Sequence, residues 1–284
     1  MKNLTMKDMK EALKTHWPEY LMESAELGAF MVSACVFTAI IWHPASAIRQ
    51  SIQDPLLRRV LTGIAMALTA ICIIYSPWGK RSGAHFNPSV TLTFFRLGKI
   101  EPWDALFYVL AQFTGGVLGV LAAAQLLGAT IKHPAVHYAA TLPGASGPRV
   151  AFVAEFLIAF VQMSVILVAS NTERVSRFTG LFAAMLVATY ISLESPLSGM
   201  SMNPARSFGS ALPARLWGSL WIYFVAPPMG MLLAAQVYVW ARGARGVICA
   251  KLHHANEQRC IFRCGYKVRA AAANAAGQLS SAAI

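Results

Sequence analysis

The sequence predicts an all-α membrane protein of six transmembrane helices and two shorter re-entrant half-helices, built as an inverted repeat of three plus three spans. Of its 284 residues, 56% are hydrophobic and only 13% are charged, whereas a soluble domain carries about 25% charged residues. Six apolar stretches lie near 20–42, 57–76, 103–128, 150–170, 178–194 and 216–241. Each is roughly 17 to 26 residues long, the length with which an α-helix crosses about 30 Å of hydrocarbon.

The charges predict an orientation. The formal net charge is +12, and under a six-span count the basic residues at 80–99, at 174–177 and from 242 to 269 fall on one side. Loops rich in Lys and Arg face the cytoplasm, so we expect both termini on the cytoplasmic side. We expect the protein to reside in the plasma (inner) membrane. One loop disagrees, since Arg49, Arg58 and Arg59 fall on the opposite side. The basic residues suit anionic lipid, and no nucleic-acid-binding motif accompanies them.

The same pattern predicts three segments. Residues 1–19 contain several lysines and no apolar signal region, which predicts a short cytosolic N-terminal segment. Residues 20–241 form the membrane domain, with repeats of about 20–128 and 149–241. Residues 242–284 form a basic cytosolic tail, and the Ala- and Ser-rich sequence beyond Lys267 predicts disorder at its end.

The two halves share a motif. "SGAHFNPSVTL" at 82–92 resembles "SGMSMNPARSF" at 198–208, and each half has a span opening with Ala-Glu, at Glu26 and at Glu155. Three spans per half is an odd number, so the second half crosses the membrane inverted, as in transport proteins whose substrate path lies between the halves. The segments beginning at Asn87-Pro88 and Asn203-Pro204 run for only about ten residues, half the length of a span.

These short segments carry helix-start signals. Asn is a strong N-cap residue and Pro is favoured at the first helical position. The Ser-Gly stretches before them can enter the membrane as irregular backbone where it is buried in protein or lines a wet cavity. Two helix starts meeting at the midplane would bring together partial positive charge and free N–H groups. This arrangement repels cations and offers donors to a neutral molecule.

Paired Asn-Pro half-helices in a six-span duplicated chain resemble the aquaporin, or major intrinsic protein, family. The resemblance covers roughly residues 20 to 241. It implies a passive channel for water and small neutral solutes, usually a homotetramer with one pore per subunit, with no cofactor and no enzymatic chemistry. It also implies that Asn87 and Asn203 are midplane donors and that Arg206 lines the outer constriction. Glu26 and Glu155 would brace the re-entrant loops, with Pro88 and Pro204 fixing the helix starts.

The constriction departs from the family pattern. Counting from Asn203 places Ile191 and Met200 at two filter positions, and the second span contributes Ala67, or Leu68 if the alignment slips by one. This ring is more apolar than a water-selective filter, which should relax the discrimination between water, glycerol-sized solutes and neutral metalloid acids. Ser207 after Arg206 is typical of the water-conducting branch. The first motif also has Ser89 where Ala is usual, and His85 is expected to line or support the inner vestibule.

The tail contains a separate group of possible metal ligands. Cys249 and His253 lie four residues apart, as do Cys260 and Cys264, with His254 between the pairs. On a helix each pair would share one face, and thiolates with imidazole suit a zinc-like ion. The alternative is a reduced cytosolic tail with incidental thiols, since disulfides are disfavoured in the cytosol.

Two other functions remain open from the sequence. An ion- or proton-coupled secondary transporter of the same inverted-repeat design would need acidic residues facing the path, for which Glu26 and Glu155 are the candidates. A membrane-anchored metal-binding protein would act through the Cys/His tail.

Overall fold

In the computed structural model, which describes residues 5–266, the regular secondary structure is helical throughout. The α-helices are α1 (Met6–Trp42), α2 (Ala47–Ser51), α3 (Pro55–Tyr75), α4 (Pro77–Ser82), α5 (Pro88–Arg96), α6 (Pro102–Leu127), α7 (Gly147–Ser170), α8 (Thr179–Leu193), α9 (Ser195–Ser198), α10 (Pro204–Ala214) and α11 (Leu220–Arg242). Short 3-10 helices lie at Gly128–Lys132, His137–Ala139, Ser176–Phe178 and Ala244–Gly246.

Six of these helices are long and apolar enough to cross a membrane, namely α1, α3, α6, α7, α8 and α11, as predicted. The first of them differs from its predicted bounds. α1 begins at Met6, where Thr5 and Asp8 form a reciprocal capping box, and it continues through Pro18 to Trp42. The predicted N-terminal segment 1–19 is therefore helical from Met6 onward and continuous with the first span.

The two re-entrant half-helices are also present. α5 has nine residues and α10 has eleven, and each begins at the Pro that follows its Asn. They interlock the two halves, because α5 packs against α11 of the second half and α10 packs against α6 of the first half. The predicted all-α fold with paired half-helices is confirmed.

The helix pairs α1–α6 and α7–α11, which correspond between the halves, make the most extensive helix–helix contacts in the bundle. Glycines permit this approach. A Cβ added at Gly115 of α6 would collide with the backbone of Ser24, and one at Gly119 would collide with the backbone of Gly28. Small residues at such positions let helix backbones touch, which supports association in lipid, where the hydrophobic effect contributes little.

We expect Gly115→Val to destabilise the protein by about 1–3 kcal/mol or more, because the neighbouring backbone cannot move aside as a side chain can. Thermal unfolding of the purified protein in detergent measures the effect. Gly218→Val is the control, since nothing lies within 4 Å of a Cβ at that position. Equal unfolding temperatures for the two variants would contradict the prediction.

Candidate functional site

The site is built on the starts of α5 and α10. Asn87 caps α5 by accepting a hydrogen bond from the Ser89 N–H at 2.8 Å. Asn203 caps α10 by accepting from the N–H groups of Ala205 and Arg206, both at 3.1 Å. Each carboxamide oxygen is therefore occupied by its own helix, which fixes the direction of the NH₂ group.

Each Asn then reaches across to the other half. Asn87 Nδ2 donates to the Met202 carbonyl at 2.8 Å, and Asn203 Nδ2 donates to the Phe86 carbonyl at 2.7 Å. An amide nitrogen carries two protons, so this exchange uses one N–H of each Asn. The second N–H of each is left for whatever occupies the space beside the junction.

The loops leading into the junction share an unusual backbone. Ala84 and Phe86 in the first loop, and Met200 and Met202 in the second, have positive φ values of 55°, 30°, 52° and 53°. Such left-handed conformations are uncommon for residues other than glycine, and here they recur at equivalent positions in both halves. They persist only where the surroundings hold them in place.

Buried glutamates hold these loops. In the second half, Glu155 accepts from the N–H groups of Ser201 and Met202 and from the Ser198 hydroxyl, each at 2.7 Å. Its oxygens therefore satisfy the hydroxyl at the end of α9 and two main-chain N–H groups of the irregular loop that follows, which has no regular hydrogen bonding of its own.

In the first half the corresponding main-chain contacts belong to Glu23. Glu23 accepts from the N–H groups of His85 at 2.8 Å and Phe86 at 2.7 Å. Glu26 accepts only from the Ser82 hydroxyl, at 2.7 Å, among the residues described. The expectation that Glu26 braces the loop main chain is therefore wrong. Glu23 lies three residues earlier, on the same helical face, so the available sequence signal was a second acidic residue at helical spacing.

We expect Glu23→Ala to destabilise the protein more than Glu26→Ala. The first change leaves two main-chain N–H groups and the Gln112 amide without their acceptor, at about 1–3 kcal/mol for each unsatisfied donor. The second change leaves only the Ser82 hydroxyl without its acceptor. The other oxygen of Glu26, Oε2, has no hydrogen-bond partner among residues 5–266, so its removal costs no further bond there. Thermal unfolding in detergent compares the two, and an equal or larger loss for Glu26→Ala would refute this assignment.

A cavity of about 530 Å³ passes the Asn junction. It is lined by Asn87, Asn203 and Arg206, and it extends from Trp42 and Arg59 beyond one end of the junction to His85 and Leu252 beyond the other. We call the end at Leu252 the tail-side mouth, because Leu252 belongs to the segment that follows α11. The cavity is thus lined by residues from both sides of the two helix starts.

Three of the four predicted filter positions line this cavity, and the fourth, assigned to Ala67 or Leu68, does not. Ile191 and Met200 contribute to the lining together with Arg206. Ala67 is buried with Ala184 between α3 and α8, and Leu68 is 55% exposed on the outer surface.

Met66 lines the cavity in their place. The alternatives Ala67 and Leu68 are therefore both wrong as lining residues. A shift of one residue turns a helix by about 100°, so an alignment that is off by one residue selects a side chain on another face of α3. Met66 packs in one cluster with Ala205, against Ile191.

Arg206 supplies a positive charge to the lining. It is the third residue of α10, and its Nη1 has no hydrogen-bond partner among the residues described. No ion pair within residues 5–266 includes it. The guanidinium and the two helix starts together make this part of the cavity electropositive.

His85 connects the cavity to the tail. Its Nε2 lies 2.8 Å from the Ala250 carbonyl and its Nδ1 lies 3.1 Å from the Thr91 hydroxyl. The ring stacks between Phe94 and Phe262, with both centroid distances 5.4 Å. Ser89 is fully buried, and its hydroxyl has no partner among the described residues.

The described tail brings four possible metal ligands together. One ligand atom from each of Cys249, His254, Cys260 and Cys264 lies within 4.8 Å of all the others. His254 takes the place predicted for His253, whose ring packs against Tyr75 at 4.9 Å. The helical spacing argument was wrong, because residues 247–264 have no helix and the chain bends between neighbouring histidines.

Hydrogen bonding among the three thiols shifts their pKa values in opposite directions. The hydrogen bond from Cys249 lowers the pKa of both Cys260 and Cys264 below the ordinary value, whereas the same contacts raise the pKa of Cys249. The predicted disorder at the end of the tail concerns residues beyond Lys267, which lie outside the described part of the chain.

Residues 16–238 match the family model for the major intrinsic protein. Curated relatives include the aquaporin NIP1-2 of Arabidopsis thaliana, 36% identical over 190 residues that make up 64% of this chain and 63% of the relative. The aquaporin NIP2-1 of Oryza sativa subsp. japonica is 39% identical over 182 residues, 63% of this chain and 58% of the relative. The chain thus spans about 60% of the length of the curated relatives that it matches.

A solved structure shows the same fold. The aquaglyceroporin from Plasmodium falciparum superposes with a TM-score of 0.65 at 17% sequence identity, covering 79% of this chain and 96% of the other. The two chains therefore share the same overall fold. At this identity the likeness concerns the fold and not the solute.

Proposed function

Because the chain belongs to the major intrinsic protein family, we propose that it forms a passive transmembrane channel for water and for small uncharged solutes of glycerol size or neutral metalloid acids. The observation that carries this proposal is the cavity of about 530 Å³, which is lined by both Asn caps and Arg206 and by residues on both sides of them. A path with fixed donors at its centre and a largely apolar wall suits molecules that carry hydrogen-bond acceptors and no charge.

The geometry supports single-file passage. A molecule at the junction accepts a hydrogen bond from the free N–H of Asn87 or Asn203, whose orientation the helix caps and the crosswise bonds fix. Apolar side chains such as Ile191 and Met66 offer no competing partner, so the molecule moves on readily. The helix starts and Arg206 raise the energy of any cation at this point. Passage makes and breaks no covalent bond.

The lining argues against a proton-coupled carrier. Glu23, Glu26 and Glu155 hold loop groups by hydrogen bonds and do not line the cavity. A coupled carrier of this design needs acidic groups that face the path. Glu23, Glu26 and Glu155 do not face it, which favours a channel.

Flux measurements on proteoliposomes test the proposal. We expect uptake of water, glycerol, urea and arsenous acid to rise linearly with the solute gradient, with no dependence on an ion gradient. Uptake that saturates and requires an ion or proton gradient would show a carrier and overturn the channel. Measuring the four molecules in parallel also determines how strongly the apolar filter discriminates between water and the larger uncharged solutes.

We propose that the protein resides in the plasma membrane with both termini in the cytoplasm. We also propose that four copies assemble as a homotetramer. Large apolar residues are exposed on the outer faces of the long helices, including Leu118, Leu126 and Trp240, which suits lipid and neighbouring subunits. The basic loop at Lys80 lies against the tail, because Lys251 donates to the Lys80 carbonyl at 2.7 Å. This end carries the excess of Lys and Arg that marks a cytoplasmic side.

A further inference from the structure

The segment 247–266, which we call the tail strap, packs across the tail-side mouth of the cavity. Leu252 is part of the cavity lining, and its N–H donates to the Gly83 carbonyl at 3.1 Å. Phe262 stacks on His85 at an angle of 11° between the rings. The tail strap has no helix or strand over 247–264, so other interactions must hold its shape.

Ionic and polar contacts attach the tail strap at several points. Lys251 is 2% exposed, and its ammonium donates to the carbonyls of Lys80, Gln258 and Arg259 at 2.7, 3.1 and 2.7 Å. Arg263 forms two hydrogen bonds to the Glu101 carboxylate, at 2.6 and 2.7 Å. These contacts fasten its edges, while its interior contains the three cysteines and His254.

The geometry points to a metal site in that interior: we propose that Cys249, His254, Cys260 and Cys264 bind one Zn²⁺ or similarly thiophilic divalent cation, which holds the tail strap against the tail-side mouth. Three thiolates and one imidazole form a ligand set of structural zinc sites. Sulfur atoms bound tetrahedrally at 2.3 Å stand about 3.8 Å apart, and Cys249 Sγ and Cys260 Sγ are 3.6 Å apart. His254 Nε2 lies 3.0 Å from Cys264 Sγ.

The charges around the four residues fit such a complex. Three thiolates with a divalent ion leave a net charge of −1, and the ammonium groups of Lys99 and Lys251 interact electrostatically with the cysteines. His254 is oriented by stacking on Tyr266, with a centroid distance of 4.2 Å. The site therefore provides compensating charge and a positioned ring in addition to four ligands. The metal site itself is independent of the proposed function, and only its placement at a channel mouth rests on it.

Metal analysis tests the site directly. The full-length chain is purified in detergent under reducing conditions without a polyhistidine tag, incubated with Zn²⁺ alone, desalted and analysed for bound metal. We expect one ion per chain. Loss of an outer-shell partner weakens metal binding by about 10–100-fold, so loss of a ligand in Cys260→Ser or His254→Ala should weaken it by more than about 100-fold. Co²⁺ in place of Zn²⁺ should give the visible bands of tetrahedral thiolate-bound cobalt.

His253→Ala is the matched control, since it removes a neighbouring ring that packs on Tyr75 and lies outside the four-residue cluster. We expect this variant to retain one ion per chain. Absence of stoichiometric metal in the wild-type protein, or its retention in both His254→Ala and Cys260→Ser, would overturn the proposal. Loss of metal from His253→Ala equal to that from His254→Ala would also overturn the assignment of ligands.

A second measurement uses the wild-type chain and does not depend on whether a variant folds. Lys251 is buried in the tail strap, so trypsin can cut after it only when the strap opens. We expect chelation of the metal to speed this cleavage by about tenfold or more, as identified by mass spectrometry of the fragments. Unchanged cleavage after demonstrated metal removal would contradict a fastening role for the ion.

Discussion

Replacing Ile191 with tryptophan is expected to reduce the osmotic water permeability of proteoliposomes by about tenfold or more, close to that of lipid alone. Ile191 lines the cavity on α8, in the stretch that Met200 and Arg206 also line. An indole at this position fills the cross-section of a path that admits one file of small molecules. Stopped-flow light scattering after an osmotic step measures the change.

Leu193→Trp is the matched control for this variant. Leu193 lies on the same helix two residues later, but its side chain is 66% exposed on the outer surface. An indole there faces lipid or a neighbouring subunit, so water permeability should stay at the wild-type value. Equal permeability of the two variants, with both proteins folded and inserted in equal amounts, would show that the cavity is not the conducting path.

Arg206→Gln is expected to admit cations, including protons, that the wild-type protein excludes. A unit charge about 4 Å from a passing cation raises its energy by roughly 4 kcal/mol at an effective dielectric constant of 20, close to a thousandfold in occupancy. The two helix starts keep part of this barrier, so we expect a proton leak increased by at least about tenfold. A pH-sensitive dye trapped inside proteoliposomes reports this leak, while water permeability should persist.

Arg215→Gln removes the same charge from the other end of α10, where Arg215 is exposed. It should leave both water and proton permeability unchanged. A proton leak that stays at the level of bare lipid in Arg206→Gln would mean that the helix starts alone exclude cations. A leak of equal size in Arg215→Gln would show that the effect reflects net charge and not the position of Arg206.

The architecture could be predicted from local signals because each is short-range. Apolar stretches of membrane-crossing length predicted the spans. An Asn-Pro pair at the beginning of a segment of half that length predicted each half-helix, and the two half-helices begin at Pro88 and Pro204. The beginning of α1 was missed because a charged, lysine-rich first turn can be helical without being apolar. Hydropathy therefore located the part of α1 inside the membrane and not the whole helix.

The details of the site depend on which way a side chain points, and spacing alone does not fix this. Met66 was missed in favour of Ala67 because one residue turns a helix by about 100°. Glu23 was missed in favour of Glu26 because the repeat suggested one glutamate per half. In the first half, Glu23 accepts the main-chain hydrogen bonds and Glu26 accepts the bond from the Ser82 hydroxyl. His254 replaced His253 because the tail strap bends irregularly, where no helical periodicity applies.

The most direct test of a passive channel for uncharged molecules measures water and proton flux on one preparation of wild-type proteoliposomes. The account predicts osmotic water flow well above that of bare lipid, with a proton leak no greater than that of bare lipid and no dependence on any ion gradient. Water flow indistinguishable from bare lipid, or flow that requires an ion gradient, would contradict it.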